Sequence, residues 1–454
     1  MRIIVIGGGI SGLACAYKLR ELGASVLLFE QAEQAGGVIR SIRKEGCLLE
    51  CGPQSFLATE TLVALIRSLA IEDQLLHADS KAPRFVVVNG VLRQIPLAPP
   101  ALISSPLLSA RTKLRLLADA FGKTRPPADD ESVAAFVRRK FGKELLDRLV
   151  GPFVSGIFAG DPEKLSLRSA FPSLHQWESQ FGSVLRGVIK SRPRVEKPRA
   201  GLCSFRDGVS TLPLRLAEVL GGAVSTGVAV QSITRHKANG KSGIEVHLQR
   251  QGRAEVAAAD AVVLAVPADS AARILRTTSP SCAELLGQIE YAPVAVVSTA
   301  YMRASVGFPL NGFGFLVPRT EKLRLLGTIW NSSLFPGRVP EGQVLLTSFM
   351  AGATDPELLG FSDQAIGAAA ASEMGKLLQI TGTPVSGNIQ RWTRAIPQYN
   401  LGHGRLLAAA QAELRRTPGI YLAGNYLDGP SIGGCVELGF RVAGEAHQSL
   451  RIAS

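Results

Sequence analysis

The chain is 454 residues long, 46% hydrophobic, with 50 basic against 37 acidic side chains and a formal charge of +13. That length exceeds one compact core, so two or three domains are expected, and the composition excludes extensive disorder. The charge favours an anionic partner, but no basic run is interleaved with aromatic residues; this excludes nucleic acid and leaves a phospholipid surface or an acidic small molecule.

The N-terminus is apolar at once and lacks a basic leader and a small-residue cleavage site, so residues 3–8 read as a buried first strand. A helix is expected over 10–22, closed by Gly23, and a second strand over Ser25 to Phe29, ending at Glu30. Gly7, Gly9 and Gly12 give GxGxxG directly after a strand and opening a helix, with Gly8, Ile10 and Ser11 between them. Such glycines allow a tight turn, close approach of backbone to a pyrophosphate and close helix packing; the phosphates then meet free N–H groups at the helix N-terminus. Glu30 stands where an acid accepts hydrogen bonds from a ribose hydroxyl. Together these features predict a dinucleotide site. The six cysteines (15, 47, 51, 203, 282, 435) are scattered, and the CxxxC of Cys47 and Cys51 has no second pair or nearby histidine. No metal is expected, and the thiols read as buried and reduced.

From about residue 91 to 190 amphipathic helical patterns alternate with proline-rich joints. Residues 94–110 carry no charge, but Pro96, Pro99, Pro100 and Pro106 break any helix there, so the stretch is expected to lie on a membrane rather than cross it. Residues 81–125 hold Lys81, Arg84, Arg93, Arg111, Lys113, Arg115, Lys123 and Arg125 against Asp119, and 186–199 add a second basic, proline-containing segment. Strands return over 208–267, then as a separate antiparallel sheet over 290–350 ("VAVVSTAY", "GFGFLVP", "LRLLGTIW", "QVLLTSFM"), and residues 419–446 read as strand, turn, helix.

The second glycine pair in "EQAEQAGGVIRS", the loop "ECGPQSF" and the C-terminal "GIYLAGNYLDGPSIGGCVELGF" resemble the flavin-dependent amine oxidase superfamily, whose cofactor is FAD. Within it, "FVSGIFAGDPEKLSLRSAFPSL" (153–174), "NGFGFLVPR" (311–319), "LGTIWNSSLFPGR" (326–338) and "IPQYNLGH" (396–403) resemble porphyrinogen oxidases of the oxygen-dependent type, and the matches spread over nearly the whole chain. The resemblance implies an α/β architecture in three units. They are a Rossmann-like FAD-binding domain (1–80, 191–270, 396–454), an antiparallel-sheet substrate domain (81–90, 271–395) and a helical membrane-associating domain (91–190).

It also implies cofactor contacts from Gly7, Gly8, Gly9, Ile10, Ser11, Gly12, Glu30, Gln31, Gly37, Val38, Gly52, Pro53, Gln54, Ser55, Val230, Trp392, Gly424, Asn425, Pro430, Ser431 and Ile432. Substrate contacts fall to Arg84, facing a propionate, and to Gly156, Phe158, Ala159, Phe313, Gly314, Leu316 and Phe349 around the tetrapyrrole. Gln54 departs from the asparagine or arginine of relatives, which puts its polar contact in doubt, and Asn425-Tyr426 also varies, which leaves a backbone contact. None of the histidines (77, 175, 236, 247, 403, 447) falls in a base-plus-orienter pattern, "GHG" at 402–404 reads as a turn, and no catalytic side chain is assigned. The implied reaction is oxidation of protoporphyrinogen IX with O2 as acceptor and hydrogen peroxide as by-product, with FAD held non-covalently. The implied location is cytoplasmic, peripheral on an anionic membrane face, and a homodimer is compatible. Coproporphyrinogen III stays open as the substrate; a non-catalytic binding protein on the same fold is the third reading, against which the intact flavin motifs speak.

Overall fold

The computed structural model describes residues 1–96, 101, 104–191, 201–238 and 241–453, without the side chains of 236–238, 241, 242 and 453. Residues 97–100, 102 and 103 of the uncharged stretch, and 192–199 of the second basic segment, therefore lie outside the described residues.

The first strand, β1 (Arg2–Ile6), stops short of residue 8 because Gly7 turns the chain at φ +105°. Helix α1 (Ile10–Glu21) and strand β2 (Ser25–Phe29) follow as the apolar periods dictate. β1 is the centre of a parallel sheet whose strands run Val224–Ser225, β2, β1, Ala261–Leu264, Ile420–Leu422. Its strands are apolar in succession because both faces are covered. Ile3 and Val5 share a core with α1 and the last helix, Ile432–Ala453, while Ile4 and Ile6 share another with the strand Val228–Ala238 and the helices Ala268–Leu275 and His403–Arg415.

A second sheet has seven strands, in the order Ser386–Pro397, Tyr291–Met302, Gln343–Ala351, Leu325–Trp330, Gly314–Leu316, Arg84–Val88, Val91–Ile95. It departs from the expected antiparallel sheet at one pair, Gly314–Leu316 beside Arg84–Val88, which is parallel. The hairpin at Asn89-Gly90, both residues with positive φ, also carries this sheet on to Ile95, past the expected edge at residue 90. One face (Val87, Ala295, Val297, Phe315, Met350) packs on the helix Asp363–Leu378. The other is left for the site described below.

Between residues 110 and 190 the helices Ala110–Asp119, Val133–Lys140, Gly151–Phe158, Pro172–Phe181 and Val184–Lys190 enclose a core of Leu107, Val133, Phe136, Val137, Leu146, Val154 and Phe158. Polar groups lock it. Glu178, wholly buried, accepts from Arg139 at 2.9 Å and Thr124 at 2.8 Å, and Lys140 bridges it at 3.2 Å to Asp119 at 2.8 Å. Burial alone would raise the Glu178 pKa; the hydrogen bonds of Arg139 and Thr124 and the charges of Lys140 and Arg139 outweigh it and hold it at about 2. Since this folded value lies below the ordinary 4.5, the stabilisation is complete above pH 4.5 and is lost as pH falls toward 2. Glu178→Gln leaves cations facing an uncharged amide and should cost about 3 kcal/mol. Urea unfolding followed in this unit should show that loss at pH 7 and a smaller difference from the parent at pH 3; an equal difference at both pH values would refute it.

Candidate functional site

The site begins where β1 ends. The Gly7 amide donates to the Phe29 carbonyl at 2.8 Å, and a Cβ at Gly12 would strike the Gly7 carbonyl, so Gly12 is a packing glycine. Gly9 differs: nothing lies within 4 Å of where its Cβ would be. Gly9 is the N-cap of α1 and no side chain caps that end, so the N–H groups of the first turn, with Ile10 and Ser11 buried at its start, are available to an anion. Glu30 accepts from Gly8 at 2.6 Å and from Ala32 at 2.8 Å across the exposed Gln31, which fixes its carboxylate at the rim.

The second glycine pair crosses the first back to back. The Gly36 amide donates to the Gly8 carbonyl at 2.8 Å, and the Cβ direction of Gly37 ends 3.4 Å from the Gly9 Cα. Gly52 then passes beneath the carbonyl of Val38, with Pro53 and Ser55 half-buried beyond it. Val230 lies at a register shift in its strand, two residues after the Val228 amide donates to the Glu30 carbonyl at 2.8 Å. From the other end of the chain, Ser431 caps the last helix by accepting from Gly434 at 3.1 Å, and Gly439 brings that helix against Ser11 and Cys15 of α1. Ile432 packs into the core beneath α1, and Asn425 and Pro430 are half-buried on the loop that precedes the helix.

The free face of the seven-stranded sheet forms a floor. Direct cross-strand pairs place Arg84 beside Gly314, then Leu316 beside Gly327, Gly327 beside Phe349, Phe349 beside Val296 and Val294 beside Trp392. Trp392 and Arg84 are five strand spacings apart, or about 24 Å. Above the floor, Ala159 closes the helix Gly151–Phe158 at φ +47° and packs among Val294, Val296, Phe349 and Trp392. A Cβ at Gly156 would meet the Leu316 side chain at 2.6 Å, so the absent side chain seats this helix on the sheet. The Arg84 guanidinium lies 5.2 Å from the centroid of the Phe313 ring and has no carboxylate partner among the described residues. A cavity of about 700 Å³ along the outer strand Ile420–Leu422, lined by Leu414, Tyr421 and Arg441, contains none of these groups.

Four of the expected contact residues are also engaged within the protein. The Phe158 ring points into the helical core, edge-on to Phe171 and Tyr399, so only its backbone is turned to the site. Gly314 is glycine because a side chain there would strike the Thr328 carbonyl, a demand of strand pairing. The Gln54 amide is engaged within the protein, donating to the Gly52 carbonyl at 2.8 Å and accepting from Asn331 at 2.7 Å. The carbonyl of Asn425 accepts from Tyr399 Oη, and the ring of Tyr426 is buried in the opposite core.

Other residues join the loops to the floor. Trp392 Nε1 donates to the Cys51 carbonyl at 2.7 Å. Arg338, 1% exposed, lies 3.9 Å from Glu50; burial pushes the Glu50 carboxyl up in pKa against hydrogen bonds from Ser41 and Val209 and the Arg338 charge. His403 is not in a turn: it opens a helix and contacts the Tyr426 carbonyl through Nε2 at 2.9 Å. Asn331, Arg338, Tyr399 and His403 all lie within motifs quoted above, but no spacing distinguishes them. All six cysteines are free and buried.

Because Gly9 faces open space and Gly12 does not, the two should fail differently. Gly9→Val should fold with an unchanged melting temperature and purify without flavin colour. Gly12→Val should lose the fold itself. Full flavin absorbance in Gly9→Val would remove the cradle assignment.

A family model described as flavin containing amine oxidoreductase matches residues 10–447. A chloroplastic protoporphyrinogen oxidase of Nicotiana tabacum is 34% identical over 466 residues, 97% of this chain and 84% of its own. A coproporphyrinogen III oxidase of Bacillus subtilis is 28% identical over 474 residues, 98% of this chain and 97% of its own. A crystal structure from an Exiguobacterium species superposes with a TM-score of 0.82 at 24% identity, covering 99% of both chains, which extends the likeness to the whole fold. The chain belongs to the flavin containing amine oxidoreductase family, in its protoporphyrinogen oxidase branch, and is an FAD-dependent oxidoreductase.

Proposed function

We propose that this protein oxidises protoporphyrinogen IX to protoporphyrin IX, with O2 as acceptor and hydrogen peroxide released. The observation that carries the reading is the floor between Trp392 and Arg84, in a chain similar to protoporphyrinogen oxidases along its length. Bound FAD supplies a two-electron acceptor that dioxygen restores. The chain holds it through Gly9, the N-terminus of α1, Glu30, Val230 and the loops 37–38, 52–55 and 424–432, at the Trp392 end of the floor. The substrate ring lies against the uncovered edges of Leu316 and Phe349, with the helix that Gly156 and Ala159 seat on the sheet as its roof. Arg84, oriented by Phe313, takes a propionate in a charge-assisted pair; Arg93, opposite Val86 on the next strand, faces the same way. Water is excluded by apolar contact, and no side chain need accept a proton from carbon.

Charge position also favours this substrate over coproporphyrinogen III. Both named arginines stand at one end of the floor, while Phe349, Val294 and Val296 line the other. Two further propionates would meet those apolar walls, and an unpaired buried carboxylate costs several kcal/mol. Parallel assays at matched concentrations should give the higher kcat/KM for protoporphyrinogen IX; an advantage for coproporphyrinogen III reverses the assignment. Arg84→Ala should raise KM about tenfold with flavin content unchanged. Unaltered KM would return Arg84 to the solvated surface.

The helical unit is proposed as the part that meets a membrane. In the helix Ala110–Asp119 the buried residues are Thr112 and Asp119, while Leu114 is 66% exposed, and Phe121 just beyond is 84% exposed. This inverts the pattern of a helix surrounded by water. Arg111, Lys113, Arg115 and Lys123 flank the stripe and Ile189 extends it, as an anionic surface requires. Among the described residues no helix is long and apolar enough to cross a membrane. The protein should co-sediment with anionic vesicles and stay bound in high salt, and Leu114→Asp with Phe121→Asp should release it. Binding unaffected by the double substitution would locate attachment elsewhere.

A further inference from the structure

We propose that the segment Gln398–His403 is a strut that sets the distance between the FAD loop and the substrate roof, with Tyr399 and His403 as positioning residues at the flavin end and Gln398 at the substrate end. The inference rests on the reading above that residues 424–432 face FAD and that Ala159 roofs the substrate.

The segment touches both ends through atoms it holds rigidly. Tyr399 Oη donates to the Asn425 carbonyl. His403, 6% exposed, meets the Tyr426 carbonyl at 2.9 Å, and since a carbonyl can only accept, Nε2 carries the proton. Two successive carbonyls of the flavin loop are therefore held from behind, and the loop closes in front of them through the Leu427 amide, which donates to the Gly424 carbonyl at 3.2 Å. At the other end, Gln398 Nε2 donates to the Phe158 carbonyl at 2.9 Å, the peptide that leads into Ala159. The Tyr399 ring stacks edge-on against both Phe158, at 5.8 Å, and His403, at 4.7 Å, so one side chain contacts both ends.

The strut is fixed independently of what it supports. The Gln398 amide donates to the Glu290 carbonyl at 2.9 Å and the Tyr399 carbonyl accepts from Ser166 at 2.8 Å. The Leu401 amide donates to the Lys164 carbonyl at 2.9 Å, and Gly402 donates to the Asp130 carboxylate at 3.0 Å. Burial keeps the Tyr399 phenol protonated and lowers the His403 pKa, so both stay neutral donors. A purely structural element needs none of these outward contacts: the helix His403–Arg415 is already packed through Ala410 and Leu414.

The two ends should separate on substitution. Tyr399→Phe keeps the ring and removes one donor: FAD affinity of the apoprotein, titrated by flavin fluorescence, should fall about fivefold to tenfold. Flavin reduction at saturating porphyrinogen should slow while KM holds. Gln398→Met frees the Phe158 carbonyl: KM should rise about fivefold with FAD affinity unchanged. His403→Gln, whose amide can still donate, should retain affinity that His403→Leu loses. The strut is refuted if Tyr399→Phe and Gln398→Met shift neither quantity, or if each shifts both equally. If the parent protein binds FAD but neither porphyrinogen reduces it, the activity reading falls, and the affinity difference between His403→Gln and His403→Leu still decides the flavin end.

Discussion

Where the Gly36 amide reaches the Gly8 carbonyl, two loops following successive strands cross with no side chain between them, and the other parts of the site take their positions from that crossing. It brings Gly37 onto Gly9, so the N-terminus of α1 and the second loop face one space. Gly52 can then pass under Val38, which lays residues 52–55 across the same opening. The loop in turn fixes the second sheet, through Trp392 to the Cys51 carbonyl and Asn331 to Gln54. A floor far along the chain is thus held against the first turn by contacts between backbones at their closest approach.

Polar groups have opposite tasks in the two halves of the molecule. In the helical unit, Asp119, Lys140 and Glu178 face inward, and replacing such a cluster by apolar residues often costs nothing. Their presence fixes helix register, since Asp119 also accepts from Ser183 and Leu185 at 3.0 Å and so joins two helices. With the inner side taken by charge, Leu114 and Leu117 of that helix turn outward, while Leu116 keeps contact with the core. In the seven-stranded sheet, alternation sends Val87, Phe315 and Met350 to the helix-covered side and Leu316, Phe349 and Trp392 to the other, so a shift of one residue would exchange core for floor.

The strand, glycine turn, helix and second strand at the start of the chain were legible because short-range spacing determines them: Gly7 to Gly12, the apolar run before and the acid after. Contacts set by a side chain's direction were not. Phe158 and Ala159 are neighbours in one motif, yet helix closure at Ala159 turns one ring into the core and one methyl to the floor. Gly314 resembles a pocket glycine and is a strand-packing glycine, because strand pairing sets it against the Thr328 carbonyl. "GHG" carries the signs of a turn, and it becomes a helix start only because Gly402 finds Asp130 and His403 finds Tyr426. Each of these depended on a partner distant in sequence, as Asp130 is from Gly402, or on packing that no local pattern encodes.

The parallel sheet takes its strands from residues 2–29, 224–225, 261–264 and 420–422, so one outer strand is made long after the centre. On a ribosome, therefore, β1 and α1 emerge with one flank of the sheet and the Ser11 face of the helix bare until Gly439 arrives to cover it. The nascent nucleotide-binding half cannot close on its own, and its apolar surface stays exposed until those residues arrive. The cofactor site therefore cannot form before residues 420–439 have been made: a chain cut short before residue 420 has the fingerprint and lacks the fold to use it.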